Sequence, residues 1–244
     1  MRLDVKGLTV RYGAVAALHE LSLTVPSGQR RAVIGPNGAG KTTLFDAITG
    51  EARPTAGAIA LDGRDVSRVP AWRRARLGLA RTFQRSTLFG DLPVAENLAL
   101  AIRLRDRRSW RFWPGGDRGL RAEVDERLAA AGLDRVALRS AASLSHGEQR
   151  ALEIELALAR RPRLLLLDEP MAGLSGVERA AALDHLRSLP PEVTLVVVEH
   201  DLDAAFAIAE WISVLDHGVL LADGAPERVR SDPTVQEVYL GGRG

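Results

Sequence analysis

Gly35-Pro36-Asn37-Gly38-Ala39-Gly40-Lys41-Thr42 is the stretch on which the reading of this chain turns. It fits G-x-x-x-x-G-K-[ST] without departure, and its surroundings fit too. Gly28 to Ile34 reads as a strand running into a glycine-rich turn, and a helix follows. The three glycines let the backbone turn so that several N–H groups point at one anion. The helix adds its positive N-terminal end. Lys41 brings a full charge to terminal phosphates, and Thr42 offers a hydroxyl to Mg2+. A dinucleotide-binding reading fails, because G-x-G-x-x-G is absent and Lys41-Thr42 suits a triphosphate better.

A phosphate loop needs a carboxylate that orders its metal. Leu164-Leu165-Leu166-Leu167-Asp168 supplies one at the end of a continuous apolar strand, where Asp168 can hold Mg2+ through water. Glu169 follows immediately and is placed to polarise an attacking water beside the γ-phosphate. As an isolated pair, Asp168 and Glu169 would simply end a strand in solvent; the loop upstream promotes them.

Working outward, the first third is β-rich. Leu3, Val5, Leu8 and Val10, then Leu21, Leu23 and Val25, recur near period two, and Gly57 to Gly63 is a further short strand. From about Pro93 to Arg160 the pattern is helical, with helices expected over Val94 to Leu104, Leu120 to Ala131 and Glu148 to Arg160. The chain then alternates. Strands at Leu164 to Leu167 and Leu195 to Val198 are separated by a helix at Val177 to Leu189 and followed by one at Leu202 to Ala209. Fully apolar strands alternating with helices imply a parallel sheet covered on both faces. Ile212 to Leu215 and Val219 to Ala222, joined by Asp216-His217-Gly218, read as a closing hairpin.

Composition narrows the function classes. The 244 residues are enough to bury a core unaided, and the absence of cysteine removes disulfides, thiolate metal sites and thiol catalysis together. Met1 to Gly13 lacks the apolar run of a signal peptide, and no window approaches 18 uninterrupted apolar residues. A formal charge of +2 is too small to argue for nucleic acid. Lys6 and Lys41 are the only lysines, so the basic residues are nearly all arginine.

Many NTPases share the two motifs above. Leu144-Ser145-His146-Gly147-Glu148, about twenty residues upstream of Asp168, resembles the signature of the ABC ATPases, normally Leu-Ser-Gly-Gly-Gln. His146 and Glu148 depart from that pattern, while Ser145 and Gly147 keep it. As a bare helix N-cap Ser145 would be unremarkable. Other family markers occur in order along nearly the whole chain. The resemblance implies an α/β fold of P-loop NTPase type. It has a RecA-like core, an antiparallel β subdomain and an α-helical signature subdomain, all in one domain over 1–244. The catalytic core would be about 1–92 and 161–244, and the helical subdomain about 93–160.

The same resemblance assigns the site. ATP and Mg2+ are bound by Gly35, Pro36, Asn37, Gly38, Ala39, Gly40, Lys41, Thr42 and Thr43, with Tyr12 of Arg-Tyr-Gly stacking on adenine. Thr42, Asp168 and Gln84 of Arg-Thr-Phe-Gln serve the metal, and Gln84 also senses the attacking water. Glu169, His200, Lys41 and Gln84 serve catalysis. Ser145, Gly147 and Glu148 cap the γ-phosphate of ATP held by a second subunit. Ala172-Gly173-Leu174-Ser175 matches the loop between the two nucleotide sites, although its last position is usually acidic or Asn. Lone residues of these types are more often structural; position in the pattern promotes them.

The implied protein is an ATPase subunit that closes as a homodimer or heterodimer on the cytoplasmic face of the inner membrane. Its partners would be permease subunits and, through them, a periplasmic or extracellular binding protein. Nucleic acid is not expected. Arg81-Thr-Phe-Gln84, Pro93-Val-Ala-Glu-Asn-Leu98, Pro170-Met-Ala-Gly-Leu174, Val198-Glu-His-Asp201 and Val238-Tyr-Leu-Gly241 resemble the ATPases of branched-chain amino acid importers. Urea or amide importers and a lipopolysaccharide exporter share parts of these. The insertion between Arg103 and Arg121, with Trp110, Phe112 and Trp113 among arginines, suits an exposed loop, a membrane or permease contact, or single-stranded nucleic acid. A nucleic-acid ABC ATPase would usually carry two cassettes or long coiled coils, which do not fit. A GTP switch would need Asn-Lys-x-Asp, but Asn37 and Asn97 are the only asparagines and neither precedes lysine.

Overall fold

The computed structural model describes residues 1–82, 88–106 and 118–240. Gln84, residues 107–117 of the arginine-rich insertion and Gly241 lie outside the described residues. In chain order the elements are β1 (Leu3–Tyr12), β2 (Val15–Val25), β3 (Arg30–Ile34), α1 (Lys41–Thr49), β4 (Ala56–Leu61), β5 (Arg64–Asp65), α2 (Ala71–Arg76), β6 (Leu79–Arg81), α3 (Val94–Arg105), α4 (Arg118–Ala130), α5 (His146–Ala159), β7 (Leu164–Asp168), α6 (Gly176–Arg187), β8 (Thr194–Val198), α7 (Leu202–Ile208), β9 (Trp211–Asp216), β10 (Val219–Gly224), α8 (Pro226–Arg230) and α9 (Pro233–Leu240). They group into two compact units. One is Met1–Arg81, Arg163–Pro170 and Leu189–Gly244; the other is Thr82–Pro162 with Met171–Ser188.

The first unit contains two sheets. An antiparallel sheet runs β2-β1-β4-β5, and a six-stranded sheet runs β10-β9-β3-β8-β7-β6. Every pair in the larger sheet is parallel except β9 with β10. Buried Leu3 and Val5 sit at odd positions of β1, but buried Leu8 and Val10 at even ones. The switch in parity needs an extra residue. It falls at the irregularities around Gly7, where the register shifts against both β2 and β4.

All five residues of β7 and of β8 are buried, because the parallel strands are packed on both faces. Alternation sorts their side chains. Val33, Leu164, Leu166, Val196 and Val198 join Leu44, Phe45 and Ile48 of α1 and the inner face of the antiparallel sheet. Ala32, Ile34, Ile212 and Val214 face the other way, onto Ala205, Val229 and Val235 of the C-terminal helices. α1 thus covers one face of the sheet while its first residue stands at the strand ends.

The second unit is helical. Val94, Leu98 and Ile102 of α3 repeat at four-residue spacing, as do Val124 and Leu128 of α4. They pack with Leu144, Leu152 and Ala159 around one core. The helix α6 groups with this unit. Polar groups finish the packing. Asn97, 2% exposed, accepts from Phe89 N and donates to the carbonyls of Phe89, Leu92 and Pro93. Among the described residues no helix is long and apolar enough to cross a membrane.

Candidate functional site

Apart from Tyr12, which ends β1 of the antiparallel sheet, the sequence-predicted residues of the first unit lie at the C-terminal ends of parallel strands, where open α/β sheets gather ligands. β3 ends at Ile34 and leads through Gly35–Gly40 into α1, which begins at Lys41. The start of α1 has no side-chain cap and no acidic residue in its first turn. Its orphan N–H groups and positive end are therefore left for an anion.

The loop is held tightly from behind. A Cβ on Gly35 would lie 2.1 Å from the Leu215 carbonyl oxygen; one on Gly40, at φ 101°, would lie 2.7 Å from the Ala17 carbonyl oxygen. Gly218 N also donates to Ala39 O (3.0 Å), and His19 N to Gly218 O (2.9 Å). Ala39 is buried, whereas Asn37, Gly38 and Thr42 are exposed, and Pro36 and Thr43 are half-buried.

Lys41 is 7% exposed, and its Nζ donates to Gly35 O at 2.6 Å and Pro36 O at 2.8 Å. Burial pushes the ammonium below its ordinary pKa, while the charges of Glu169 and Asp168 hold it up. Among the described residues the amine's hydrogen-bond partners are these neutral carbonyls, with two carboxylates close enough to be felt.

Asp168 ends β7 and is 1% exposed; its Oδ2 accepts from Arg81 at 3.0 Å. Glu169 follows at φ 47°, a left-handed conformation uncommon for a non-glycine residue, with its N donating to Val198 O at 2.9 Å. Such geometry costs of order 1–3 kcal/mol and is held only where the surroundings over-determine it. It swings the Glu169 side chain, 30% exposed, to 4.0 Å from His200 Nδ1. His200 stands two residues beyond β8. Tyr12, 55% exposed, closes β1 beside the hairpin turn.

Ser145, Gly147 and Glu148 belong to the second unit and form a helix start. Ser145 N-caps α5 and accepts from Glu148 N, while Glu148 Oε2 accepts from Ser145 N at 2.8 Å. Ser175 and Glu178 repeat the same capping box at α6. Glu178 also reaches the signature: its Oε1 accepts from Ser145 Oγ and from Gly147 N, each at 3.2 Å. Glycine lets the carboxylate approach this closely: a Cβ on Gly147 would meet that oxygen at 2.5 Å and push the Glu178 side chain aside.

A family model described as ABC transporter matches residues 18–172. BraF of Pseudomonas aeruginosa, a high-affinity branched-chain amino acid transport ATP-binding protein, is 39% identical and covers 98% of this chain and 97% of its own length. The chain belongs to the ABC transporter family. A second family model, Branched-chain amino acid ATP-binding cassette transporter, matches residues 219–244. LivG of Escherichia coli, also named a high-affinity branched-chain amino acid transport ATP-binding protein, is 36% identical over 98% of this chain and 97% of its own. Among solved structures, an ATP-binding cassette of an ABC transporter in its ADP conformation superposes with a TM-score of 0.85 at 26% identity, covering 99% of each chain. A dimeric bacterial ABC transporter cassette superposes at 0.79 with 26% identity, over 92% of this chain and 98% of that one.

This ABC cassette is therefore a nucleotide-binding ATPase with the α/β P-loop fold expected from its sequence. The structure adds Arg81 and Glu178, which sequence reasoning passed over. Arg81 lies in the Arg-Thr-Phe-Gln run quoted for Gln84, and only tertiary structure brings it to Asp168. Glu178 was visible as the fourth residue of a capping box, but nothing in the sequence placed it on the signature of another helix.

Proposed function

We propose that this cassette hydrolyses ATP to drive import of branched-chain or related amino acids through separate membrane subunits. It would work as a dimer of cassettes at the cytoplasmic face of the membrane, with a substrate-binding protein acting through the permease. The observation that carries the substrate class is the near full-length similarity to BraF and LivG, supported by the tail match over 219–244.

The site chemistry supports the engine. Lys41, released from the carbonyls of Gly35 and Pro36, would take terminal phosphate oxygens, with backbone N–H groups of Gly38 to Thr43 around the phosphates. Tyr12, half exposed, offers a face for the adenine. Exposed Thr42 and the buried carboxylate of Asp168 are oxygen donors suited to Mg2+, which is usually held by one or two protein oxygens plus substrate phosphates. Among the described residues no group of three or more carboxylates and histidines forms an all-protein cage. Bound there, Mg2+ would offset the charge of the phosphates.

Glu169 would orient and deprotonate the attacking water, with Lys41 and His200 meeting charge on the transferred group. Most of the acceleration is positioning and electrostatics. Ser145 and Gly147 of one copy would cap the phosphate bound by the other, and Gln84 would link metal and water.

Glu169→Gln tests the assignment. General-base help is typically worth ~10²–10⁴-fold, so single-turnover hydrolysis should fall by that order while ATP binding persists. Sedimentation should show an ATP-dependent dimer. Turnover near that of the parent removes Glu169 from the role.

A further inference from the structure

The larger sheet carries an arginine that neither the motifs nor the comparisons assign. Arg81 is the last residue of β6, the edge strand beside β7, and its side chain is only 6% exposed. One guanidinium nitrogen donates to Asp168 Oδ2 at 3.0 Å. The other donates to Asp46 Oδ1 at 2.5 Å and to Glu51 Oε2 at 3.1 Å. Its planar head also lies over the Phe45 ring, 5.6 Å from the centroid.

Asp46 lies on α1, the helix that opens with Lys41 and Thr42, and Glu51 lies just past its end. Asp168 closes β7 immediately before Glu169. Arg81 therefore ties the helix carrying the phosphate-side groups to the end of the strand that closes with Asp168. It does so from a fork whose two nitrogens have a fixed angle between them. The tie is made in a largely buried setting, where charged hydrogen bonds are strong and loss of one partner is costly.

We propose that Arg81 is a positioning residue for the metal-ordering carboxylate, holding Asp168 in register with Thr42 so that the divalent cation of a nucleotide complex finds both. The inference rests on the nucleotide-site reading above. It opposes a simpler idea with the opposite sign. If Arg81 only neutralised Asp46, Glu51 and Asp168, deleting its charge would strengthen cation binding. If it positions Asp168, both loss of charge and loss of the fork weaken cation binding.

The experiment is a Mg2+ titration of the full chain holding a fluorescent ATP analogue, begun in EDTA, for the parent, Arg81→Lys and Arg81→Gln. Arg81→Lys keeps the buried charge but cannot span both groups with a rigid fork. Groups that hold a metal ligand from behind typically change metal affinity by ~10–100-fold, and we expect Mg2+ half-saturation to rise by that factor in both variants. Analogue affinity in EDTA should stay within about twofold of the parent, since no direct phosphate contact is removed.

Parent-like Mg2+ dependence in folded Arg81→Lys overturns the proposal, and so does tighter Mg2+ binding in either variant. Thermal melting identifies a variant that does not fold, and where Arg81→Gln fails that check Arg81→Lys decides. A parent that binds no analogue, with or without Mg2+, refutes the nucleotide-site reading itself and is distinguishable from either result.

Discussion

Lys41→Ala removes one ammonium from the turn between β3 and α1, and two effects of opposite sign set its consequences. In the free chain Lys41 is 7% exposed and its Nζ is bonded to the carbonyls of Gly35 and Pro36. In the proposed binding mode these bonds would be exchanged for bonds to phosphate. A hydrogen bond to a charged group nets ~1.5–3 kcal/mol. At ~1.4 kcal/mol per tenfold, that is about 10- to 140-fold in affinity. Because two existing bonds are given up, the loss should sit toward the lower end.

Stability should move less. Two ammonium–carbonyl bonds worth together ~3–6 kcal/mol are lost, but so is the cost of burying an ammonium whose pKa burial already lowers, and the two largely cancel. The assay is equilibrium titration of a fluorescent ATP analogue at fixed ionic strength, with a melting curve for each protein. Affinity within about twofold of the parent, with an unchanged melt, would refute both the anion-cradle reading and the energetic reasoning.

Gly40→Ala places a Cβ 2.7 Å from Ala17 O and 2.8 Å from Leu18 Cδ2 at φ 101°. Strain of ~1–3 kcal/mol, at ~2–4 °C per kcal/mol for a chain of this size, lowers Tm by roughly 2–12 °C in calorimetry. Ser145→Ala removes the N-cap of α5. It should cost ~0.5–2 kcal/mol in urea unfolding, and a parent-like midpoint would show that Glu148 alone sustains the helix start. Arg105 holds Glu123 through two bonds, at 2.6 and 2.9 Å, and depresses its pKa from 4.5 to about 2. The unfolded chain therefore takes up this proton first as the solution is acidified. The stabilisation is complete above pH 4.5 and is lost between 4.5 and about 2. Glu123→Gln should flatten that acid limb, and an unchanged limb from pH-dependent melting would count against the pair.

The phosphate loop, the run ending in Asp168 and the strand–helix alternation were readable because each is local. A contiguous motif carries its own backbone geometry, and periodicity reports which face is buried. The helix expected from Glu148 begins at His146 because Ser145 caps it, and the one expected over Val177 to Leu189 runs Gly176–Arg187, capped by Ser175. β5, α2, β6, α8 and α9 escaped notice. The first three are short, and β6 has only three residues, too few for a period to register. β6 exists as a strand because β7 offers it a hydrogen-bonding edge.

By itself, then, the sequence determined the chemistry at each position of the chain: a glycine turn before a lysine, an apolar run ending in two carboxylates, a serine ahead of a helix. The tertiary structure decided which of these act on one another. Arg81 lies 87 residues from Asp168 along the chain yet 3.0 Å away in space, and Glu178 lies 31 residues from the Gly147 N–H that it accepts from. Such pairings follow from strand order and helix packing. These are settled by burial of apolar faces over the whole chain and leave no mark in any local window.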